Sequence, residues 1–210
     1  MDITDSLLRK ESWEEFLEYK KCHGHLERGE EAAWRRFIDE GLYRELPAPG
    51  ALPLPVRKEI NKSGSQKKRV IYSYPEPFNS ILKGVAFQLY RYDALFEDSC
   101  YAFRRNKSAA DALKRLKQLN GEGKLWCLKA DISNYFNSID TGRLLEELSF
   151  LRDEDERLYQ LFREMLLEEK VTDGEGNVFA EAHGAMAGIP VAPFFANVYL
   201  RDLDRLFTGA

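Results

Sequence analysis

The residues best suited to chemistry lie together in segment 129–140, which reads Lys-Ala-Asp-Ile-Ser-Asn-Tyr-Phe-Asn-Ser-Ile-Asp. Its first carboxylate, Asp131, follows the short apolar run 125–130, which predicts a buried central strand. The carboxyl end of a strand is where α/β-type sheets tend to bind ligands. Asp131 is therefore a candidate ligand for a hard cation such as Mg²⁺; the alternative is that its side chain only caps a turn. The residues after it can present backbone N–H groups to phosphate oxygens and aromatic rings to a sugar or base.

Two basic segments stand out in a chain whose net charge is −4. Residues 57–70 carry six cations against one acid, and residues 102–117 carry another six against one acid. A phosphate backbone responds to local potential, so such segments can form a nucleic-acid or triphosphate surface even in an acidic chain. The alternative for either segment is an ordinary solvated charged face.

Length and composition restrict the class of protein. The chain has 210 residues, of which 44% are hydrophobic and 31% charged, so it can bury a core. It has no apolar run long enough to span a membrane, three scattered cysteines and no apolar signal segment at its start. We expect a cytoplasmic protein of one or two domains, with no membrane partner.

The hydrophobic pattern predicts a mixture of helices and strands. Apolar residues recur at helical spacing up to about Tyr43, and the proline-rich stretch 46–55 then predicts an extended connector. A β-hairpin is predicted around the turn Ser63-Gly64-Ser65, and a second pair of short strands flanks the Asp-Gly turn in 171–179. Further helices are predicted after Pro77, from Ser108, after Asp140 and from Pro193.

Four blocks follow one another along residues 55–207: 62–71, with its Lys-Lys-Arg-Val-Ile; 101–113, with its Phe-Arg-Arg; 130–140; and 184–204. In this order they resemble the first fingers motif, the second fingers motif, motif A and motif B of reverse transcriptases. The resemblance is closest to the group II intron, retron and related bacterial retroelement type. Each block is only moderately specific, but four in order are strong evidence.

The resemblance implies roles for the residues of motif A. Asp131 would bind the catalytic Mg²⁺ or Mn²⁺ ions, and the Ile132 carbonyl would complete one coordination shell. The backbone around Asn134 and Tyr135 would meet a deoxynucleoside triphosphate. Phe136 would lie under the sugar as the steric gate that rejects a 2′-hydroxyl, although it could also be an ordinary core aromatic.

The resemblance also implies roles outside motif A. Lys62 and Arg69 would neutralise the triphosphate, and Ala187 and Gly188 would lie beside the nucleotide and the templating base pair. Contacts with nucleic acid would come from five cations: Lys67, Lys68, Arg104, Arg105 and Lys107.

Two departures from the family pattern affect these roles. Ala187 and Ala192 stand where motif B usually has Gln and Ser, which puts ordinary substrate handling in question. No aromatic-X-Asp-Asp motif follows Asp204. Because two metal ions need several shared carboxylates, we expect these 210 residues to be catalytically inert alone.

The resulting expectation is an α+β fold: the fingers of a right-hand polymerase with an incomplete palm, whose ferredoxin-like sheet lacks its later strands. Residues 1–54 would be a helical extension and connector, 55–120 the fingers, and 121–210 part of the palm. The parent protein would be an RNA-directed DNA polymerase acting on an RNA template with a DNA or RNA primer, and the unfinished sheet would favour self-association. The alternatives are a non-catalytic RNA-binding module on the same scaffold and a helical scaffold protein with chance matches.

Overall fold

Helices and a small sheet make up the chain. The structure is a computed structural model that describes residues 2–24, 26–61, 68–119 and 128–208. The helices are α1 Ile3–Leu7, α2 Lys10–Cys22, α3 Glu30–Asp39, α4 Phe78–Gln88, α5 Ala109–Leu119, α6 Thr141–Glu147, α7 Phe150–Glu154, α8 Glu156–Leu167 and α9 Ala192–Thr208. The strands are β1 Val56–Asn61, β2 Lys68–Ser73, β3 Lys170–Thr172 and β4 Val178–Ala180, and 3₁₀ turns occur at Leu42–Arg44, Leu89–Leu95 and Tyr135–Ser138. The predicted mixed α+β class is confirmed.

The sheet joins two hairpins that are far apart in sequence. Its strand order is β2-β1-β3-β4. β1 and β2 are antiparallel, with Ile60 opposite Arg69, and β3 and β4 are antiparallel as well. A short parallel contact places Val56 beside Thr172 and connects the hairpins. Both predicted strand pairs are confirmed, while the turn with Lys62 and Lys67 lies outside the described residues.

The N-terminal helices pack their predicted apolar faces against α4. Trp13 of α2 is almost fully buried, and its indole N–H donates to the Leu7 carbonyl at 2.7 Å. Its ring lies so close to α4 that a Cβ on Gly84 would be 2.2 Å from the ring carbon Cη2. Trp34 of α3 stacks on the same ring, and Phe37 of α3 meets it edge-on. These helices therefore share the hydrophobic core with the rest of the chain.

Helix α8 is fixed at its N-terminus by a buried carboxylate. Asp155 accepts a hydrogen bond from the backbone N–H of Leu158, which caps the helix. The same carboxylate accepts from the backbone N–H and hydroxyl of Thr4, both at 2.8 Å. One side chain thereby joins α8 to α1 at the other end of the sequence.

Helix α9 is the longest of the described helices and packs through its first half. Phe195 is fully buried and meets Phe162 of α8 edge-to-face, with the ring centroids 4.8 Å apart. Its second half carries Arg201, Asp202 and Arg205 and is largely exposed. Within the described ranges, no helix is both long enough and apolar enough to cross a membrane.

The prediction of a buried strand over 125–130 is wrong for the residues that the structure describes there. Leu128–Ala130 have no regular structure, and Leu128 is 93% exposed. No described strand pairs with them, and apolar side chains alone do not make a strand without a neighbouring ladder. Residues 125–127 lie outside the described ranges.

Helix α5 forms where predicted, but its apolar stripe is not buried. Ser108 and Asp111 make the predicted capping box, in which the Ser108 N–H donates to the Asp111 carboxylate at 2.9 Å. Its three leucines are all more than half exposed: Leu113, Leu116 and Leu119. The periodicity therefore predicted the helix correctly but did not predict that its apolar side is exposed.

Candidate active site

A cleft of about 730 Å³ brings together residues from three parts of the chain. One wall is strand β2, another is the segment after residue 130, and the third is the stretch that follows β4. The lining residues are Lys68, Arg69, Val70, Tyr72, Asp131, Ile132, Ser133, Asn134, Tyr135, Phe136, Asn137, Glu181, Ala182 and Ala187. The cleft thus contains eight of the predicted site residues: Lys68, Arg69, Asp131, Ile132, Asn134, Tyr135, Phe136 and Ala187.

Segment 131–138 takes its shape from a tight turn into a single 3₁₀ turn. Asn134 has φ +50°, a left-handed conformation that Asn tolerates better than most residues. Its carbonyl accepts from the N–H of Asn137 at 3.1 Å, and the hydroxyl of Tyr135 donates to the Ala196 carbonyl at 2.6 Å. Helix α9 therefore anchors the segment from behind, while Asp131 at its start is exposed.

Asn137 connects all three walls of the cleft. Its side-chain oxygen accepts from the backbone N–H of Ala187 at 2.9 Å, and its side-chain nitrogen donates to the Val70 carbonyl at 3.4 Å. The Ala187 carbonyl in turn accepts from the N–H of Tyr72 at 2.7 Å. Sequence reasoning assigned no role to Asn137, since its partners are distant in sequence.

Two glycines permit close backbone approach to residues that line the cleft. Gly188 has φ +107°, and a Cβ there would lie 2.8 Å from the Tyr72 carbonyl oxygen. Gly184 has φ +54°, and a Cβ there would lie 2.6 Å from the Phe136 carbonyl oxygen. The neighbour that requires glycine at 188 in this structure is strand β2, whereas the approach of Gly188 to a base pair stays a prediction.

The charges in the cleft are partly paired and partly available to a ligand. Lys68 pairs with Glu59 across the hairpin at 2.8 Å, and Glu181 accepts from Arg57 at 3.0 Å and from the Tyr72 hydroxyl at 2.9 Å. Burial raises the pKa of Tyr72, and the hydrogen bond to Glu181 and the charge of that carboxylate raise it further. The phenol therefore stays protonated and holds Glu181 in place.

Arg69 and Asp131 are the charged cleft residues for which the structure shows no ion pair among the described residues. Both are exposed. An exposed cation and an exposed carboxylate in one cleft suit a ligand that carries both phosphate and a metal ion.

Three further predicted cations, Arg104, Arg105 and Lys107, make contacts away from the cleft lining. The side chain of Arg104 is only 6% exposed and makes two hydrogen bonds to the Asp93 carboxylate, at 2.8 and 2.7 Å, as well as bonds to backbone carbonyls. Arg105 lies over the ring of Tyr19, 4.1 Å from its centroid, and Lys107 pairs with Asp98 at 2.9 Å. Their contacts with nucleic acid stay predictions.

The residues present suit a single hard cation that arrives with its own phosphate ligands. Asp131 offers an exposed carboxylate, and the adjacent Ile132 carries a backbone carbonyl. Among the described residues, no group of three or more acidic, histidine or cysteine side chains could hold a metal ion. Mg²⁺ commonly binds through one or two carboxylates and completes its shell with substrate phosphates and water.

Comparison with known proteins identifies the class. The family described as "Reverse transcriptase (RNA-dependent DNA polymerase)" matches residues 60–210, which is most of the chain. The chain therefore belongs to the reverse transcriptase family, as its motifs predicted.

Two relatives connect the chain with intron-encoded proteins. Group II intron-encoded protein LtrA of Lactococcus lactis subsp. cremoris is 30% identical over 159 residues, which cover 73% of this chain. An uncharacterized 91 kDa protein in the cob intron of Schizosaccharomyces pombe is 33% identical over 114 residues, or 54% of this chain. The matches span 25% of LtrA and 14% of the yeast protein, so the chain corresponds to a minor part of each relative.

Proposed function

We propose that this chain is the nucleotide- and template-binding part of an RNA-directed DNA polymerase. The reaction is transfer of a deoxynucleotide to a primer 3′-hydroxyl, with release of pyrophosphate. The observation that carries the proposal is the presence of Asp131, Arg69 and Phe136 in one cleft, although they come from distant segments. Family membership supports the same reaction class.

In this proposal the triphosphate binds in the cleft between Arg69, which is cationic, and a metal ion held at Asp131. Arg69 on β2 offsets the phosphate charge, and Asp131 and the Ile132 carbonyl hold Mg²⁺ or Mn²⁺, which supplies charge neutralisation at the transferring phosphoryl group. The backbone at Asn134 and Tyr135 faces the phosphates. Phe136 meets the sugar and favours deoxynucleotides, and Ala187 and Gly188 lie next to the base.

The template lies over the basic hairpin. Lys68 and Arg69 mark its described part, and Lys62 and Lys67 belong to the same hairpin in sequence. We assign residues 55–120 to the fingers, 121–210 to part of the palm and 1–54 to an N-terminal extension. This assignment is supported by the hairpin wall of the cleft and by the family match, which starts at residue 60.

The first test is the metal dependence of nucleotide binding by the 210-residue chain. A fluorescent deoxynucleoside triphosphate should bind more tightly with Mg²⁺ than without it, and Asp131→Asn should remove that difference. In any longer polypeptide that carries this chain and extends primers, the same change should lower the extension rate by about 10³-fold or more, because several kcal/mol of charge stabilisation are lost.

Asp153→Asn is the matched control, since Asp153 is an exposed carboxylate on α7 outside the cleft. Unchanged primer extension by Asp131→Asn would show that the site assignment is wrong. RNA affinity that persists without any metal-dependent nucleotide binding would instead favour the non-catalytic RNA-binding module.

The second test is the salt dependence of RNA binding. Arg69→Ala should weaken the affinity for an RNA template–primer and reduce the slope of log K against log salt concentration by about 1, because one phosphate contact is lost. Arg35→Ala removes an exposed cation that pairs with Glu31 on α3, and we expect it to leave the slope unchanged. Equal slopes for the wild type and Arg69→Ala would contradict the placement of the template.

A further inference from the structure

A second cavity, of about 140 Å³, lies beside the cleft but is separate from it. Its wall is largely apolar and includes four aromatic rings, those of Tyr90, Phe96, Phe103 and Phe194. Phe103 is 54% exposed, so the cavity has a mouth at the surface. A cavity of about 150 Å³ accommodates a benzene-sized ring, so this one admits a flat heterocycle.

Polar groups interrupt the aromatic wall at two positions. Asn197 is buried, and its amide donates one hydrogen bond, to the Ala102 carbonyl at 2.9 Å. The structure shows no other hydrogen bond of this amide among the described residues, which leaves an oxygen acceptor and a second N–H for a ligand. Asp93 contributes a carboxylate whose charge is balanced by Arg104 at 2.7 Å.

The residue at the mouth is held in an unusual backbone conformation. Phe103 has φ +56°, which is strained for a bulky residue and persists only when its surroundings determine it. Both neighbours are fixed: Asn197 bonds to Ala102, and the guanidinium of Arg104 bonds to the carboxylate and carbonyl of Asp93. The ring of Phe103 then lies 5.9 Å from that of Phe136, which lines the cleft. The two aromatic side chains form a shared wall between cavity and cleft.

We propose that this cavity binds one unpaired base of the template strand. Every nucleobase has a flat face that stacks on aromatic rings, and its edge carries the donors and acceptors that an amide can satisfy. Because only the contact between Phe103 and Phe136 separates the cavity from the cleft, a strand that runs through the cleft passes next to the mouth of the cavity. The assignment rests on the proposed function, because it requires a template in that cleft.

The test uses a primer–template RNA whose primer end fixes the register and whose template overhang has about eight nucleotides. One overhang base at a time is replaced by an abasic site, and affinity is measured by fluorescence anisotropy with the 210-residue chain. We expect the loss of RNA affinity to be concentrated at one overhang position, where the abasic site should raise the dissociation constant by about 5- to 100-fold.

Ala86 lines the cavity from α4 and provides the variants. Ala86→Phe fills the space, so it should weaken binding of the intact RNA by a similar factor and abolish the sensitivity at that position. Ala86→Ser, which leaves the volume nearly unchanged, is the matched control and should behave like the wild type. Ala86→Leu is the second variant if Ala86→Phe lacks a cooperative thermal unfolding transition.

The outcomes separate the two proposals. Two results would contradict base binding by the cavity while leaving the proposed function intact. One is an abasic series in which no single position lowers the RNA affinity; the other is an Ala86→Phe variant that keeps the position-specific loss of affinity. Failure of the wild type to bind any template RNA would contradict both. Free uridine monophosphate should not compete for the cavity, because it lacks the strand that places a base at the mouth; competition that Ala86→Phe abolishes would assign the cavity to free nucleotides instead.

Discussion

Single residues in the candidate site act through their position as much as through their chemistry. Asp131 and Arg69 supply charge, but Asn137 holds the three walls that bring them into one cleft. Its amide can donate and accept at once, which an aspartate at this position could not do when ionised. The arrangement of the site therefore depends both on the chemistry of its residues and on the neighbours that hold them in place.

Gly188 provides a test at this scale. Gly188→Ala should lower the free energy of unfolding by about 2 kcal/mol or more, because its φ is +107° and the new methyl group would meet the Tyr72 carbonyl. Gly174→Ala is the control, since nothing lies within 4 Å of a Cβ there, and its effect should stay within about 1 kcal/mol. Urea denaturation measures both, and equal stabilities would contradict the close approach of the 183–188 loop to β2.

At the scale of elements, the N-terminal helices are connected by a charged hydrogen-bond cluster. Burial disfavours the charged form of Glu30, but bonds from the Trp34 indole, the Glu27 N–H and the Lys20 ammonium outweigh it and lower the pKa of Glu30 to about 2. Lys20 is on α2 and Glu30 on α3, so the ionised carboxylate stabilises their packing. This contribution is complete above the ordinary glutamate pKa of about 4.5 and is lost as the pH falls toward 2.

Acid sensitivity should therefore change when Glu30 is replaced. Between pH 7 and pH 3, the melting temperature of the wild type should fall more than that of Glu30→Gln, because the variant has no carboxylate to protonate. Thermal melts followed by circular dichroism at both pH values measure the difference. Glu15→Gln, at an exposed position of α2, is the control and should follow the wild type.

At the scale of the whole molecule, the N-terminal helices and the family core form one hydrophobic cluster. Residues 60–210 match the reverse transcriptase family, yet Ile3, Leu7 and Trp13 are buried in the same cluster as Phe162 and Phe195. The first helices thus contribute to the core that supports the cleft. The proposed boundary at residue 54 separates segments of sequence that are packed together.

Asp155 tests this long-range connection. Asp155→Ala should lower the free energy of unfolding by about 2–4 kcal/mol, since it leaves buried donors of Thr4 unpaired and removes the cap of α8. Asp153→Ala, at an exposed position of α7, should change it by less than about 0.5 kcal/mol. Urea denaturation of both variants measures these free energies. A small change for Asp155→Ala would show that the packing of α1 does not depend on this contact.

The amino-acid sequence alone determined the family, the α+β class, the two hairpins and most helices. Helix periodicity, turn residues and caps are local signals, as the pairing of Ser108 with Asp111 illustrates. The motif order likewise predicted site roles for Asp131, Arg69 and Phe136, and the structure brings these three residues into one cleft.

Only the tertiary structure decided which of the predicted segments and side chains pack, pair or form ion pairs with another part of the chain. Leu128 is exposed, and no described strand pairs with its segment. Arg104 pairs with Asp93, and the nucleic-acid contact that the resemblance implies for it stays a prediction. The linking role of Asn137, the anchoring of Glu181 and the cavity beside Phe103 all depend on residues distant in sequence. Strand pairing, burial and buried ion pairs are properties of the packed chain, and local sequence does not encode which partner will be there.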